Sequence, residues 1–209
     1  MEVHPPHAAA HSLREFLAQL GTITAGVLIA LSIEGLLEWN HYRTLVREAK
    51  ATIDLEIADN KKELDGVLAG SESLKKDLDT ALRLANDLLT TKKSDVHQIN
   101  LGFEIAELST ASWRSAESTG ALGHMEYSDV REYSTLYEIQ DLLAQQQRRG
   151  IEGVAAASAI FTDNRDPHQA PAGDLELFRQ QVLGMRANLQ IQEQIGRRLS
   201  AAYQELLDR

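Results

Sequence analysis

An all-α fold is predicted, in which an N-terminal transmembrane helix continues into a long amphipathic helix that packs in an antiparallel helical bundle. Three observations carry this. The 209 residues include only four prolines and 5% aromatics, while Leu, Ala, Glu, Gln and Arg abound, a balance that favours helix over the β-branched and aromatic chemistry of sheets. Phe16 to Ile33 is an eighteen-residue run without a charge. Beyond it, apolar residues recur every three or four positions, the period of a helix with one buried face.

Composition also excludes function classes. Of the formal charge of −10, the first 37 residues account for −2 (Arg14 against Glu2, Glu15 and Glu34), leaving −8 on residues 38–209. Such a surface opposes nucleic acid, whose phosphates require a basic face. Cysteine is absent, which excludes disulfides, thiolate metal sites and a cysteine nucleophile.

The chain opens with a tail, residues 1–11, expected to be disordered. His4, His7 and His11 stand there in an H-x2-H-x3-H pattern, but Pro5 and Pro6 break any common helical face, so no metal site is expected. Ser12 and Glu15 have capping-box spacing and mark a helix start. The transmembrane helix is placed at residues 12–39. Its apolar run is about 27 Å long at 1.5 Å per residue, near the thickness of a bilayer core, and Trp39 and Tyr42 follow where interfacial aromatics are expected. Two other readings compete: a cleaved signal peptide, with small residues at Ala30 and Ser32, and a buried core helix. Against the first stand the long N-terminal region with its single Arg14 and the helical residues that continue past Ser32.

Two features of the span are candidates for function. Gly21 and Ala25, and Gly26 and Ala30, repeat at spacings of four, the pattern of close helix packing and hence of a homo-oligomer or protein partner in the lipid bilayer. Glu34, Glu38 and His41 follow at spacings of four and three, which puts them along one side of the helix. A carboxylate at membrane depth is costly and marks a proton path or a basic partner, whereas one near the end of the span snorkels to the headgroups.

The helical extramembrane domain is placed at residues 40–209. Leu45, Ala49, Ile53, Ile57, Asn60, Leu64 and Val67 form a stripe that extends the first helix to about Leu68. Gly70 should end it, and Ser71-Glu72-Ser73 should open the return arm of an antiparallel hairpin with the stripe Leu74, Leu78, Leu82, Ala85 and Leu89. Thr90–Asn100 reads as a loop, and a helix is expected from Phe103 to Gly120. Ser128 is the expected N-cap of the next helix, which runs to Gly150 and resumes over Val154–Phe161. Turn formers crowd 163–173, and Asp174 should cap a last helix carrying Phe178, Val182, Met185, Leu189, Ile195, Leu199, Ala202 and Leu206. That stripe is close to a 3.5-residue coiled-coil repeat interrupted by Gln192.

No catalytic constellation, metal-ligand spacing or phosphate loop appears, so neither enzymatic activity nor a cofactor is expected. The run Thr22-Ile23-Thr24-Ala25-Gly26-Val27-Leu28-Ile29-Ala30-Leu31, with Glu34-Gly35, Glu38-Trp39, His41, Arg43, Glu56-Ile57 and Asn60, resembles an uncharacterised family of small bacterial single-pass membrane proteins with a helical domain of unknown function. The resemblance spans about a third of the chain, from His11 to Leu68 and around Ala111–Gly123. It implies a membrane anchor and carries over no site residue. The expected role is that of a non-enzymatic interaction, sensor or scaffold protein; the alternative is a subunit of an ion-coupled or transport complex using Glu34. The expected location is the bacterial inner membrane. Arg43, Arg47 and Lys50 after the span outnumber Arg14 before it, which favours a cytoplasmic domain. A short tail, an uncleaved span and a large following domain suit export to the periplasm, the orientation carried forward.

Overall fold

In the computed structural model, residues 13–102, 104–161 and 166–208 are described. The tail with its three histidines, the Ser12 half of the capping box, Phe103 and part of the turn-rich segment (162–165) lie outside the described residues. The described residues contain no strand and fold into four α-helices: α1 (Leu13–Thr90), α2 (Ala111–Ser118), α3 (Tyr127–Ala159) and α4 (Ala172–Leu207), with short 3-10 turns at Ala121–His124 and Pro167–Gln169. The chain divides into two units between Glu48 and Ala49.

In the first unit, α1 exposes every residue from Leu13 to His41. Two of its hydroxyls bond within the helix: Thr22 Oγ1 donates to Ala18 O at 2.9 Å and Ser32 Oγ to Leu28 O at 2.7 Å. A hydroxyl bonded in this way needs no water partner.

In the second unit, α1, α3 and α4 bury their stripes together. Leu78, Ala81, Leu82 and Ala85 of α1 pack with Ala157 of α3 and with Phe178, Val182, Met185 and Leu189 of α4. Phe161 meets the Phe178 ring at 4.9 Å, within the range of tilted aromatic pairs. Toward the end of α1, Leu84 and Leu88 join Val96 and Leu175 in a smaller cluster. Among the described residues, none between Thr90 and α2 is helical.

The order of paired residues gives the helix directions. Lys50 with Asp129, Asp54 with Tyr133 and Glu56 with Tyr137 advance together, so α1 and α3 are parallel. Gln192 with Gln146 and Tyr203 with Gln140, and Ser200 with Asp65 against Arg186 with Asp79, run in opposite senses, so α4 is antiparallel to both. The expected all-antiparallel arrangement is corrected accordingly.

The main reason is Gly70. No hairpin forms there, and α1 is one 78-residue helix. A helical glycine costs about 1 kcal/mol relative to alanine, a small penalty beside the burial of Leu64 and Leu78 on either side. Ser71, expected to open a new helix, donates instead to Leu68 O within α1. Other boundaries also move. The helix expected from Phe103 begins only at Ala111, Glu126 rather than Ser128 takes the N-cap position of α3, and Pro171 rather than Asp174 takes that of α4. Gly150 does not interrupt α3 but is buried within it. Gly120, at φ +77°, is a stop as expected, in a conformation that glycine adopts without steric penalty.

If α1 is continuous, Gly66→Ala should stabilise the second unit by about 1 kcal/mol, because a Cβ there meets open space. Gly153→Ala should lose stability, since its Cβ would sit 2.9 Å from Met185 Cγ and overpacking costs roughly 1–3 kcal/mol. Denaturant midpoints of the two variants against wild type test both signs.

Candidate functional site

Two features stand out: the exposed apolar length of α1 and a buried polar centre in the second unit. In the first, Glu34, Glu38 and His41 occupy successive turns of α1 and are all exposed, as are Gly21, Ala25, Gly26 and Ala30. The structure thus places the charged trio along one helix and brings no residue of the second group against another helix among the described residues. A Cβ built at Gly21, Gly26 or Gly35 meets nothing within 4 Å. Beyond Glu34, the Arg43 guanidinium lies over the Trp39 ring at 5.2 Å, a cation–π pair.

The polar centre is built around Glu56, Asn60 and Gln140, all buried. Glu56 follows from the α1 stripe: it lies between Ile53 and Ile57 on the one side and Asn60 on the other, so it turns inward with them. Its carboxylate accepts from Tyr137 Oη at 2.6 Å, Ser109 Oγ at 2.7 Å and the Ser112 backbone N–H at 2.8 Å. The last donor belongs to the first turn of α2. Thr110, at the N-cap position, makes no side-chain cap bond, so Glu56 caps α2 from another helix, where the positive end of the dipole favours an anion.

One turn along α1, Asn60 repeats the clasp in neutral form. Its Oδ1 accepts from Ser109 N at 2.7 Å and its Nδ2 donates to Ser109 O at 2.8 Å. Gln140 Nε2 donates to the same carbonyl at 2.9 Å, and Gln140 Oε1 accepts from Tyr203 Oη at 2.6 Å. One residue of extended chain is thereby tied to α1 and α3, and through Tyr203 to α4. Trp113 of α2 stacks on Tyr137 at 5.2 Å.

Electrostatics follow from these bonds. Burial pushes the Glu56 carboxyl upward, but the hydrogen bonds from Ser112, Tyr137, Ser109 and Trp113 outweigh it and hold the group below the usual glutamate range. Burial, then the bond to Glu56, raises the Tyr137 phenol; burial, then the bond to Asp54, raises that of Tyr133. All three are therefore fixed in one protonation state near neutral pH, which suits a structural clasp and not acid–base exchange. Among the described residues, no group of three or more His, Asp or Glu side chains could hold a metal ion.

The chain matches no protein-family model, no curated protein and no solved structure.

Glu56 was not singled out as a site residue from sequence, since a lone carboxylate on a stripe resembles a solvated position. Its signal was Asn60 on the same stripe: two polar residues at inward positions four apart imply a shared polar partner.

Glu56→Gln should cost about 1–3 kcal/mol at neutral pH by replacing charged with neutral hydrogen bonds. The sign with pH follows from the lowered value: the stabilisation is complete above the unfolded value of 4.5 and is lost as pH falls through the folded one. Wild-type and Glu56→Gln stabilities should converge in acid, measured as denaturation midpoints between pH 7 and pH 3. Parallel curves would contradict this.

Proposed function

We propose that this is a single-pass protein of the bacterial inner membrane whose helical second unit is a non-enzymatic interaction, sensor or scaffold module on the periplasmic side. The observation that carries the anchor is that α1 holds an eighteen-residue window, apolar enough to cross a membrane, in which nothing is buried. In water such a surface would be a large uncompensated apolar patch. A core helix of a soluble protein would be mostly covered, so the exposure favours lipid. The Trp39–Arg43 pair supports the same reading, because an aromatic ring and a cation just past the apolar run suit the headgroup layer. The interaction role is supported by a second unit whose strongest polar cluster is committed to holding helices together.

A second reading, a subunit of an ion-coupled complex, rests on Glu34, a carboxylate set among the exposed Ile33, Leu36 and Leu37. It requires that Glu34→Gln abolish the cellular phenotype of the protein while leaving its membrane level unchanged.

Full-length protein should stay in the pellet after alkaline carbonate extraction. A Val27→Arg, Leu28→Arg double variant should move to the supernatant, since each arginine at mid-span costs roughly 2.5–3.5 kcal/mol. For orientation, a cysteine replacing the exposed Gln98 should react with a membrane-impermeant maleimide in intact cells. Protection until lysis would place the domain in the cytoplasm and overturn the periplasmic assignment.

A further inference from the structure

The second unit contains a cavity of about 190 Å³ between α1, the non-helical residues Asn100, Gly102 and Glu104, α3 and α4. We infer that this cavity binds a small organic ammonium ion with a compact apolar body.

A buried apolar cavity of roughly 150 Å³ accommodates a benzene ring, so about 190 Å³ holds one ring, or a chain of similar bulk, plus a small polar head. The apolar wall is supplied by Leu64, Leu68, Leu74, Leu143 and Leu189.

The polar groups define the head. Gln147 lines the cavity and is only 7% exposed, yet its amide makes no hydrogen bond with any described residue. Its neighbours in the same seam are committed: Gln192 Nε2 donates to Gln146 O at 3.0 Å and to Asn188, and Asn188 Nδ2 donates to Gln146 Oε1. Buried amides are ordinarily paired, so Gln147, which lines the cavity without a partner among the described residues, has hydrogen-bonding capacity to offer a ligand there.

Charge decides the sign of the head. Asp77, Glu104 and Glu193 line the cavity, and no Lys, Arg or His does so among the described residues. Glu193 is compensated from behind by Lys75 Nζ at 2.8 Å from its Oε1, which holds its carboxyl low against burial. Asp77 receives only the neutral Asn100 amide at 3.0 Å. Glu104 hangs over Gly70, its Oε2 3.0 Å from where a Cβ would stand. Two carboxylates without a cation and an amide oxygen are all acceptors, and an ammonium offers three donors. An anionic ligand would meet repulsion from the same groups.

Gly70 supplies the means to close the site without damaging the fold. Leucine is a better helix former than glycine, and the atom its Cβ would displace is the far end of the flexible Glu104 side chain.

The test is calorimetric titration of the full chain in nanodiscs, with empty nanodiscs subtracted, using phenethylammonium, 2-phenylethanol and 3-phenylpropionate. Saturable binding of the ammonium is expected, with the alcohol about tenfold weaker or more and the carboxylate not saturating, because charge-assisted hydrogen bonds are roughly twice as strong as neutral ones. Gly70→Leu should abolish binding while its circular dichroism and unfolding midpoint stay at or above wild type. Gln147→Leu should weaken it severalfold. Absence of saturation, equal binding of ammonium and carboxylate, or undiminished binding by a folded Gly70→Leu would each overturn the assignment. The nanodisc format rests on the anchor reading, whereas the outcome is independent of membrane orientation; failure of the chain to enter nanodiscs counts against the anchor, and failure of an incorporated chain to bind counts against the cavity.

Discussion

The arrangement of the second unit depends on one buried charge, the Glu56 carboxylate. A charge removed from water costs several kcal/mol unless its oxygens are fully hydrogen-bonded. Here the donors come from three places in the chain: Tyr137 on α3, Ser109 at the end of the extended segment and Ser112 in the first turn of α2. Removing any one of these elements strands the carboxylate, so they must assemble together. The clasp also explains why α2 starts where it does. Residues 104–110 fail to become helix because Asn60 and Gln140 hold both backbone groups of Ser109 in a geometry that a helix would not present.

Parallel placement of α1 and α3 follows from the same clasp. Two parallel helices cannot be joined by a tight turn, so the chain must travel back along the bundle after Thr90 before α3 begins at Tyr127. The extended segment is that return path, and Val96, Ala106 and the Ser109 backbone fasten it to the helices it crosses. A hairpin at Gly70 would have removed the need for it. Tertiary burial on both sides of Gly70 outweighs the local signal for a stop, and the crossover is the topological consequence.

The stripes Leu78, Leu82 and Ala85, and Phe178, Val182, Met185, Leu189 and Leu199, were legible because each buries an apolar residue at every turn. Helix ends were not, because glycine and serine signal turns only when no neighbour holds the helix together; Gly70, Gly150 and Ser71 all lie inside helices. Gln192 appeared as an interruption of the last stripe, yet it is buried and bonded to Gln146. The polar centre was illegible for the same reason. Polarity at a core position reads as a gap until the donor or acceptor opposite it is known, and that partner lies far away in sequence.

The two units satisfy opposite demands on one helix. Every buried residue among the described residues stands at or after Ile53, whereas every residue from Leu13 to His41 is exposed. The apolar turns that precede Trp39 gain stabilisation only where water is replaced by an apolar medium, whereas the second unit already covers its stripes with protein. From Arg43 to Leu68 there is no proline and the sole glycine is Gly66, so no strong helix breaker interrupts α1 there. On the proposed membrane reading, changes in residues 13–37 act on partition into lipid, whereas changes after Ile53 act on folding.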